Sequence, residues 1–266
     1  MAERILLKKA QVNNINKQTV TDSMSSHKIS SDSINFDVIG SIKSPYKEKF
    51  AIPRQPGLVS AAKGKLYLTG AANNIELVRG LEQFSHIWLL FIFHDTQEQG
   101  WKPLVRPPRL GGNKKLGVLA TRSTFRPNPI GMSAVKLDDI TQQGSQVILH
   151  ISELDLLDGT PIVDIKPYLP YADILPHAVA GFAQNKPSIK QSVIFNTQAS
   201  DFLSSHGSNY KDLDKLIIQV LEQDPRPAYK QGKLDNKVYG MTLYDLNINW
   251  QVIDENIMEV MSIKPI

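Results

Sequence analysis

Two aspartates, Asp155 and Asp158, lie three residues apart just before a segment of strand-like composition, Thr160–Ile165. A carboxylate at the start of a strand could take up a proton in a reaction or accept a hydrogen bond from a ligand amine. Asp158 is followed by Gly159, however, and Asp-Gly pairs are common in tight turns. The local sequence therefore leaves two interpretations open, a pair of functional carboxylates and a structural turn.

Polar side chains also occur at two other places that suit a ligand site. His94 and Asp95 directly follow the most apolar stretch of the chain, Ile87–Phe93, and polar groups at the end of a buried strand are often within reach of a cavity. A turn in which Asp95 binds backbone donors is the alternative. The segment Pro53-Arg54-Gln55-Pro56-Gly57 predicts a stiff loop that presents an arginine, and an exposed connector fits its composition equally well.

The most unusual segment, here called the basic segment, spans residues 102–126 and contains seven basic residues and no acidic one. Glycines within it would let a phosphate approach the backbone closely, and arginine and lysine would neutralise its charge. The alternative is a solvated loop. The seven residues are Lys102, Arg106, Arg109, Lys114, Lys115, Arg122 and Arg126.

The composition excludes several kinds of site. The chain has 266 residues and no cysteine, so disulfides, thiolate nucleophiles and Cys-based metal sites are absent. No glycine-rich dinucleotide or phosphate-loop motif occurs, and no two histidines have the spacing typical of metal ligands, so we expect no bound metal. The net charge is +4, and the excess of basic residues lies before residue 190. This distribution is compatible with a polyanionic partner.

The distribution of strand-like segments indicates a mainly β fold. These segments are short, separated by turns rich in Gly, Pro and Asn, and have no regular helices between them, which favours a barrel or a sandwich. The pattern predicts strands at Phe36–Ile42, Lys65–Thr69, Phe84–His94, Leu116–Thr121, Met132–Leu137, Val147–Glu153 and Thr160–Ile165.

The chain divides into three parts by composition. Residues 1–33 are polar and predict a flexible N-terminal extension. Residues 34–190 carry the β-rich segments and end in a linker. Residues 191–266 predict a small α+β domain, in which apolar residues between Leu213 and Leu221 recur at helical spacing and the helix stops before Asp224-Pro225. Three further strands follow at Val238–Tyr244, Asn247–Ile253 and Ile257–Ile263. We find no internal repeat and no stretch long and apolar enough to span a membrane.

Several of these segments together resemble the TrmO (TsaA-like) family of tRNA methyltransferases, and the likeness extends in order over residues 34–266. The segments that carry it are Ile39–Tyr46, Pro53–Gly57, Gly80–Trp88, Ala120–Gly131 and Leu154–Pro170, with Asp224–Tyr229 matching the C-terminal domain of bacterial members.

The resemblance implies a single-sheeted β-barrel with a small C-terminal α+β domain and S-adenosylmethionine as methyl donor. The implied acceptor is N6 of threonylcarbamoyladenosine, next to the anticodon of threonine-accepting tRNA. A homodimer is also implied. We further expect a cytoplasmic location, and the histidine spacing and hydropathy described above predict no metal and no membrane attachment. A non-catalytic tRNA-binding barrel and a methyltransferase of a small metabolite are the alternatives.

The resemblance also assigns roles to individual residues. The expected cofactor contacts are Pro53, Arg54, Gln55, His94, Asp95, Arg122, Leu154, Asp155, Leu156, Leu157 and Asp158. The catalytic residue stays open among His94, Asp155 and Asp158. Contacts to tRNA phosphates are expected from Lys102, Arg106, Arg109, Lys114, Lys115 and Arg126, and Trp101, Phe125 and Tyr229 are candidates for stacking on bases.

Overall fold

Alternating burial along the strands builds the first part of the fold. In this computed structural model, residues 34–188, 191–227 and 229–266 are described. The predicted extension at 1–33 lies outside them. Inward-facing Ile87, Leu89 and Phe91 alternate with less buried neighbours, as expected for a strand with one face in a core. The strands of this part are β1 (Gly40–Lys43), β2 (Lys63–Leu68), β3 (His86–Ile92), β4 (Leu104–Val105), β5 (Leu116–Gly117), β6 (Ile130–Gln143), β7 (Gln146–Ser152) and β8 (Pro161–Pro167).

Six of these strands close into a single antiparallel barrel in the order β1-β2-β7-β6-β3-β8, and β8 pairs back onto β1. Closure leaves the six strands without an unpaired edge. Strands β4 and β5 form a separate two-stranded pair within the long connection between β3 and β6. Gly131 is required inside the barrel, since a Cβ there would lie 2.4 Å from the Phe91 ring.

The antiparallel order sends three connections to the same end of the barrel, here called the site end. Residues 44–62 join β1 to β2, residues 93–129 join β3 to β6, and residues 153–160 join β7 to β8. The opposite end carries residues 69–85 and the short turn at 144–145. Loops that are far apart in sequence therefore meet at the site end.

The C-terminal part is a four-stranded sheet with two helices. Its sheet order is β10-β11-β12-β9, with β9 parallel to β12. Asn196 caps the first of these helices by accepting a hydrogen bond from the Ala199 amide. The elements are α1 (Pro170–Asp173), which precedes the sheet, β9 (Ser192–Phe195), α2 (Thr197–His206), α3 (Leu213–Glu222), β10 (Asp235–Leu243), β11 (Leu246–Asp254) and β12 (Ile257–Pro265).

Most of the predicted elements are confirmed, and the mainly β barrel with a small C-terminal α+β part is observed. Helix α3 ends at Glu222, before Asp224-Pro225, as predicted. The prediction of a strand over Leu116–Thr121 is wrong beyond Gly117, because residues 118–120 form a 3-10 turn. Strand β1 begins only at Gly40 rather than Phe36.

Strand β9 and helix α2 were not predicted, because both are short and α2 has many polar residues. The domain boundaries at 33 and 190 stay predictions. None of the described helices is long and apolar enough to cross a membrane.

Candidate functional site

The site end of the barrel brings together the candidate residues that the sequence scatters over more than one hundred positions. The connection 44–62 carries Pro53–Gln55, the connection 93–129 carries His94, Asp95 and the basic segment, and the connection 153–160 carries Asp155 and Asp158. Polar side chains from three loops thus share one end of an apolar barrel.

Asp155 is the most perturbed acid at this end. The Ser133 hydroxyl, which points into the barrel from β6, donates a 2.6 Å hydrogen bond to the Asp155 carboxylate. Desolvation raises the pKa of Asp155 from 3.8 to about 6, although the Ser133 bond and the charge of Arg122 act in the opposite direction. A carboxylate with this pKa is ionised at neutral pH and is still a usable proton acceptor.

Tyr46 lies within electrostatic range of Asp155. Its ring is buried, and its hydroxyl has no hydrogen-bond partner among the described residues. Burial, and then the charge of Asp155, raise the pKa of the Tyr46 phenol above its ordinary value. A buried hydroxyl without a partner is rare, and it is free to donate to a bound group.

The Asp158 carboxylate is hydrogen-bonded to groups of the protein itself. Its two carboxylate oxygens accept hydrogen bonds from the Ser44 amide at 2.8 Å and from the Lys47 ammonium at 2.6 Å. The Ser44 hydroxyl in turn donates to the Leu156 carbonyl. Leu154 and Leu156 are buried in the core, so their side chains anchor this loop, and only their backbone could contact a ligand.

Arg122 connects two of the three loops. Its guanidinium donates a 2.6 Å hydrogen bond to the side-chain oxygen of Gln55. The neighbouring Arg54 has its pKa lowered by desolvation; Asp224 opposes the change and Arg109 adds to it. Arg122 also lies within electrostatic range of Asp155, so a positive charge from the connection 93–129 lies near that acid.

His94 and Asp95 begin a 3-10 turn after β3. His94 is half-buried and Asp95 is exposed. Within the part of the chain that the structure describes, neither side chain makes a hydrogen bond or an ion pair, so both are available to a ligand. The sequence left open a turn in which Asp95 binds backbone donors. A turn is present here, but among the described residues the Asp95 carboxylate accepts no hydrogen bond from a backbone N–H.

The basic segment is largely exposed, and none of its seven charged residues forms a salt bridge with a described residue. Arg126 donates to the Thr121 carbonyl at 3.3 Å, and Arg109 donates to the Asn185 carbonyl. The Lys102 ammonium lies 4.4 Å from the centre of the Phe125 ring. The side chains of Arg106, Lys114 and Lys115 have no hydrogen bond, ion pair or ring contact with any described residue.

The stacking candidates differ in availability. Phe125 is half-buried, and the ammonium groups of Lys49 and Lys102 lie 5.6 Å and 4.4 Å from the centre of its ring. The ring therefore already has two cationic neighbours. Trp101 and Tyr229 are exposed. These two rings are the better candidates for contact with an external base.

Ser133 and Tyr46 were missed by the sequence analysis. Ser133 lies in none of the segments that carry the resemblance, and Tyr46 ends one of them, Ile39–Tyr46, without an expected role. One signal was present: Ser133 occupies an inward position of β6, between Gly131 and Val135, where an apolar residue is expected. Among the described residues, no three His, Asp or Glu side chains converge as metal ligands.

Comparison with known proteins identifies close relatives. The chain is 53% identical over 233 residues to a tRNA (adenine(37)-N6)-methyltransferase of Escherichia coli, covering 88% of this chain and 99% of the relative. It is 46% identical to a putative S-adenosylmethionine-dependent methyltransferase, RcsF, of Pseudomonas aeruginosa, covering 85% and 95%. The crystal structure of TrmO from Pseudomonas aeruginosa matches with a TM-score of 0.73 at 39% identity, covering 87% of this chain and 98% of that one.

The fold and the site define a β-barrel protein with a polar site built from loops at one barrel end and a C-terminal α+β part. The profile of the tRNA-methyltransferase O N-terminal domain matches residues 41–174, and the profile of the TrmO C-terminal domain matches residues 188–266. The chain belongs to the TrmO family.

Proposed function

We propose that this chain transfers a methyl group from S-adenosylmethionine to N6 of adenosine 37 in transfer RNA. Two similar relatives carry this activity or the use of this donor in their names. The observation in the structure that carries the proposal is Asp155, a desolvated carboxylate with a pKa of about 6, beside Arg122 and the unpartnered Tyr46 hydroxyl.

The residues at the site end suit this donor chemically. S-adenosylmethionine has a sulfonium, an ammonium and a carboxylate, so a site for it needs both acidic and basic groups. Asp155 offers negative charge, and Arg122 and Arg54 offer guanidinium groups that suit a carboxylate. The Tyr46 hydroxyl and the Gln55 amide add hydrogen-bonding groups. When bound, the cofactor supplies an electrophilic methyl group.

The acceptor nitrogen must lose a proton during the transfer. We propose that the acceptor is threonylcarbamoyladenosine, in which N6 belongs to a urea and its lone pair is delocalised. The Asp155 carboxylate would accept this proton, directly or through one water, and would release it to solvent afterwards. His94 is the second candidate because it is half-buried and has no partner among the described residues.

Recognition of the threonyl group would fall to an arginine. The modified base carries its own carboxylate, and an arginine between Arg106 and Arg126 is expected to bind it. Replacing each arginine in turn by alanine should identify it, since turnover on modified tRNA should then fall more than tRNA binding does. A loss of binding affinity that is the same for tRNA with and without the threonylcarbamoyl group would exclude this role.

The basic segment is proposed to hold the phosphates of the anticodon stem-loop of threonine-accepting tRNA. Replacing Arg106, Lys114 and Lys115 together by glutamine should weaken tRNA binding about 10- to 100-fold at low salt and reduce the salt slope by about 2–3. Filter binding at several salt concentrations measures both.

The matched control removes three charges elsewhere, with Arg79, Lys166 and Lys215 replaced by glutamine. This variant should bind tRNA as the wild type does. Equal weakening in the two triple variants would mean that only net charge matters and that the basic segment has no specific role.

We further propose a homodimer located in the cytoplasm, where the donor and tRNA meet. Support for association comes from large apolar side chains left exposed between β8 and β9, namely Tyr171, Ile174, Leu175 and Val179. Leu175→Asp should shift the mass measured by light scattering from dimer to monomer. The control Leu234→Asp, at another exposed leucine, should not; a monomeric wild type would exclude the proposal.

The direct test of the function is transfer of labelled methyl from S-adenosylmethionine to two tRNAs that differ only in the threonylcarbamoyl group. Label in the modified tRNA alone would support both the reaction and the acceptor. Binding of tRNA without transfer would favour a non-catalytic barrel. Donor binding without salt-sensitive tRNA binding would favour a small metabolite as acceptor.

A further inference from the structure

The loop that carries Arg54 and Gln55 is held from two sides. On the barrel side, the Gly57 amide donates to the Glu153 carbonyl at 2.9 Å, and the Glu153 amide donates to the Ala62 carbonyl at 3.0 Å. On the opposite side, the same connection, residues 44–62, contacts the C-terminal part.

The contacts from the C-terminal part are specific hydrogen bonds. The Gln219 side chain on α3 accepts from the Ala61 amide at 2.9 Å and donates to the Ser60 hydroxyl at 2.9 Å. The Glu48 carboxylate accepts from the Thr242 amide on β10 at 2.7 Å. A single side chain, Gln219, thus joins the second half of the connection to α3.

Two more contacts strengthen the first half of the connection. The Tyr244 amide donates to the Pro45 carbonyl at 2.8 Å, and Tyr46 forms a β-bridge with Leu243. The C-terminal part therefore makes hydrogen bonds to this connection both before and after residues 53–55.

The tip of the connection has little support of its own. Within the described residues, no backbone N–H of Arg54 or Gln55 donates a hydrogen bond. The Gln55 side chain donates to the Arg54 carbonyl within the tip, and its oxygen accepts from Arg122 of another loop. Its position therefore depends on its flanks, and those flanks are set by Glu153 on the barrel side and by Gln219 and Thr242 on the other.

We propose that the C-terminal domain positions the connection 44–62, which carries the expected cofactor contacts Pro53–Gln55. In this proposal Gln219 is a positioning residue for the binding of S-adenosylmethionine. This inference rests on the proposed function and adds a role for the C-terminal domain within it. The domain acts through Ser60, Ala61 and Glu48 on the place of Arg54 and Gln55, and in this role it does not touch the methyl group. Small displacements of such a loop have large effects on ligand geometry.

The test is isothermal titration of S-adenosylmethionine into the full chain in the absence of tRNA. Gln219→Ala should weaken donor binding about tenfold, in line with the loss of two hydrogen bonds that preorganise the loop. Gln219→Glu should retain binding close to wild type, since its carboxylate accepts from both the Ala61 amide and the Ser60 hydroxyl. Affinity for tRNA should be unchanged in both variants.

The matched control is Gln251→Ala, which also removes a glutamine bond within the C-terminal part, to Glu259 at 3.1 Å, but far along the sheet from this connection. It should bind the donor as the wild type does. Equal donor affinity of the wild type and Gln219→Ala would overturn the inference and leave the proposed function standing. Weaker tRNA binding with unchanged donor binding would also overturn it. A wild type that does not bind the donor would overturn the proposed function itself, and this inference with it.

Discussion

Asp155→Asn is expected to lower the rate of methyl transfer about 10²- to 10⁴-fold, which is the usual contribution of a positioned general base. The asparagine oxygen can still accept the hydrogen bond from Ser133, so the loop keeps its place while the proton acceptor is lost. Single-turnover rates on modified tRNA measure this effect. A rate within about threefold of wild type would exclude Asp155 as the base and direct attention to His94.

The same substitution should stabilise the protein. Because desolvation raises the pKa of Asp155 in the folded state, the folded protein binds more protons than the unfolded chain between pH 3.8 and about 6. The ionised carboxylate therefore reduces the free energy of unfolding as pH rises through this window. Allowing for its partial exposure, Asp155→Asn should add about 1–2 kcal/mol at pH 7.

Denaturant unfolding at several pH values tests this sign. The gain should be full above pH 6 and close to zero below pH 4. The control Asp158→Asn should behave in the opposite way, because it removes the acceptor for Lys47 and weakens the bond to the Ser44 amide. The wild-type transfer rate should itself rise between pH 5 and pH 7, as Asp155 ionises, and then level off.

Arg122→Ala is expected to reduce transfer about 10- to 100-fold, which corresponds to a lost charge-assisted hydrogen bond to Gln55. Arg122 also lowers the pKa of Asp155 by its charge. Its removal should therefore move the acid limb of the rate profile to higher pH, above about 6. A purely structural role for Arg122 would not move that limb.

Two further variants separate the charge of Arg122 from the geometry of its guanidinium group. Arg122→Lys keeps the charge but loses the guanidinium geometry, so the pH profile should stay near that of the wild type while donor affinity falls. Arg106→Lys is the matched control in the same connection, where no described partner is lost, and it should leave both quantities unchanged. An unshifted profile in Arg122→Ala would contradict the electrostatic link to Asp155.

The sequence alone predicted the type of fold because strands, helices and turns each leave a pattern of residues within a short segment of the chain. Alternating apolar residues in Ile87–Phe93 and turn residues between short segments indicate strands wherever they occur. The spacing of Leu213, Leu216, Ile217 and Val220 indicates one helical face, and Pro225 sets its end. Elements with weak local patterns, such as α2, were missed for the same reason.

Residue types and spacing supplied most of the candidate residues, and the resemblance to a family assigned roles to them because several segments match in order. It could not say which acid is free to react. Asp155 and Asp158 look equivalent in sequence, yet Asp158 binds Ser44 and Lys47, whereas Asp155 is desolvated against Ser133. Burial and partners that come from distant strands decide this difference.

The sequence by itself thus determined most of the strand and helix pattern, the basic segment at 102–126 and the family. Only the tertiary structure decided which loops meet, because barrel closure in the order β1-β2-β7-β6-β3-β8 brings three separate connections to one end. It also decided that Gln219 reaches Ser60, 159 positions away. Contacts of this kind depend on the packing of whole elements, and no local pattern encodes them.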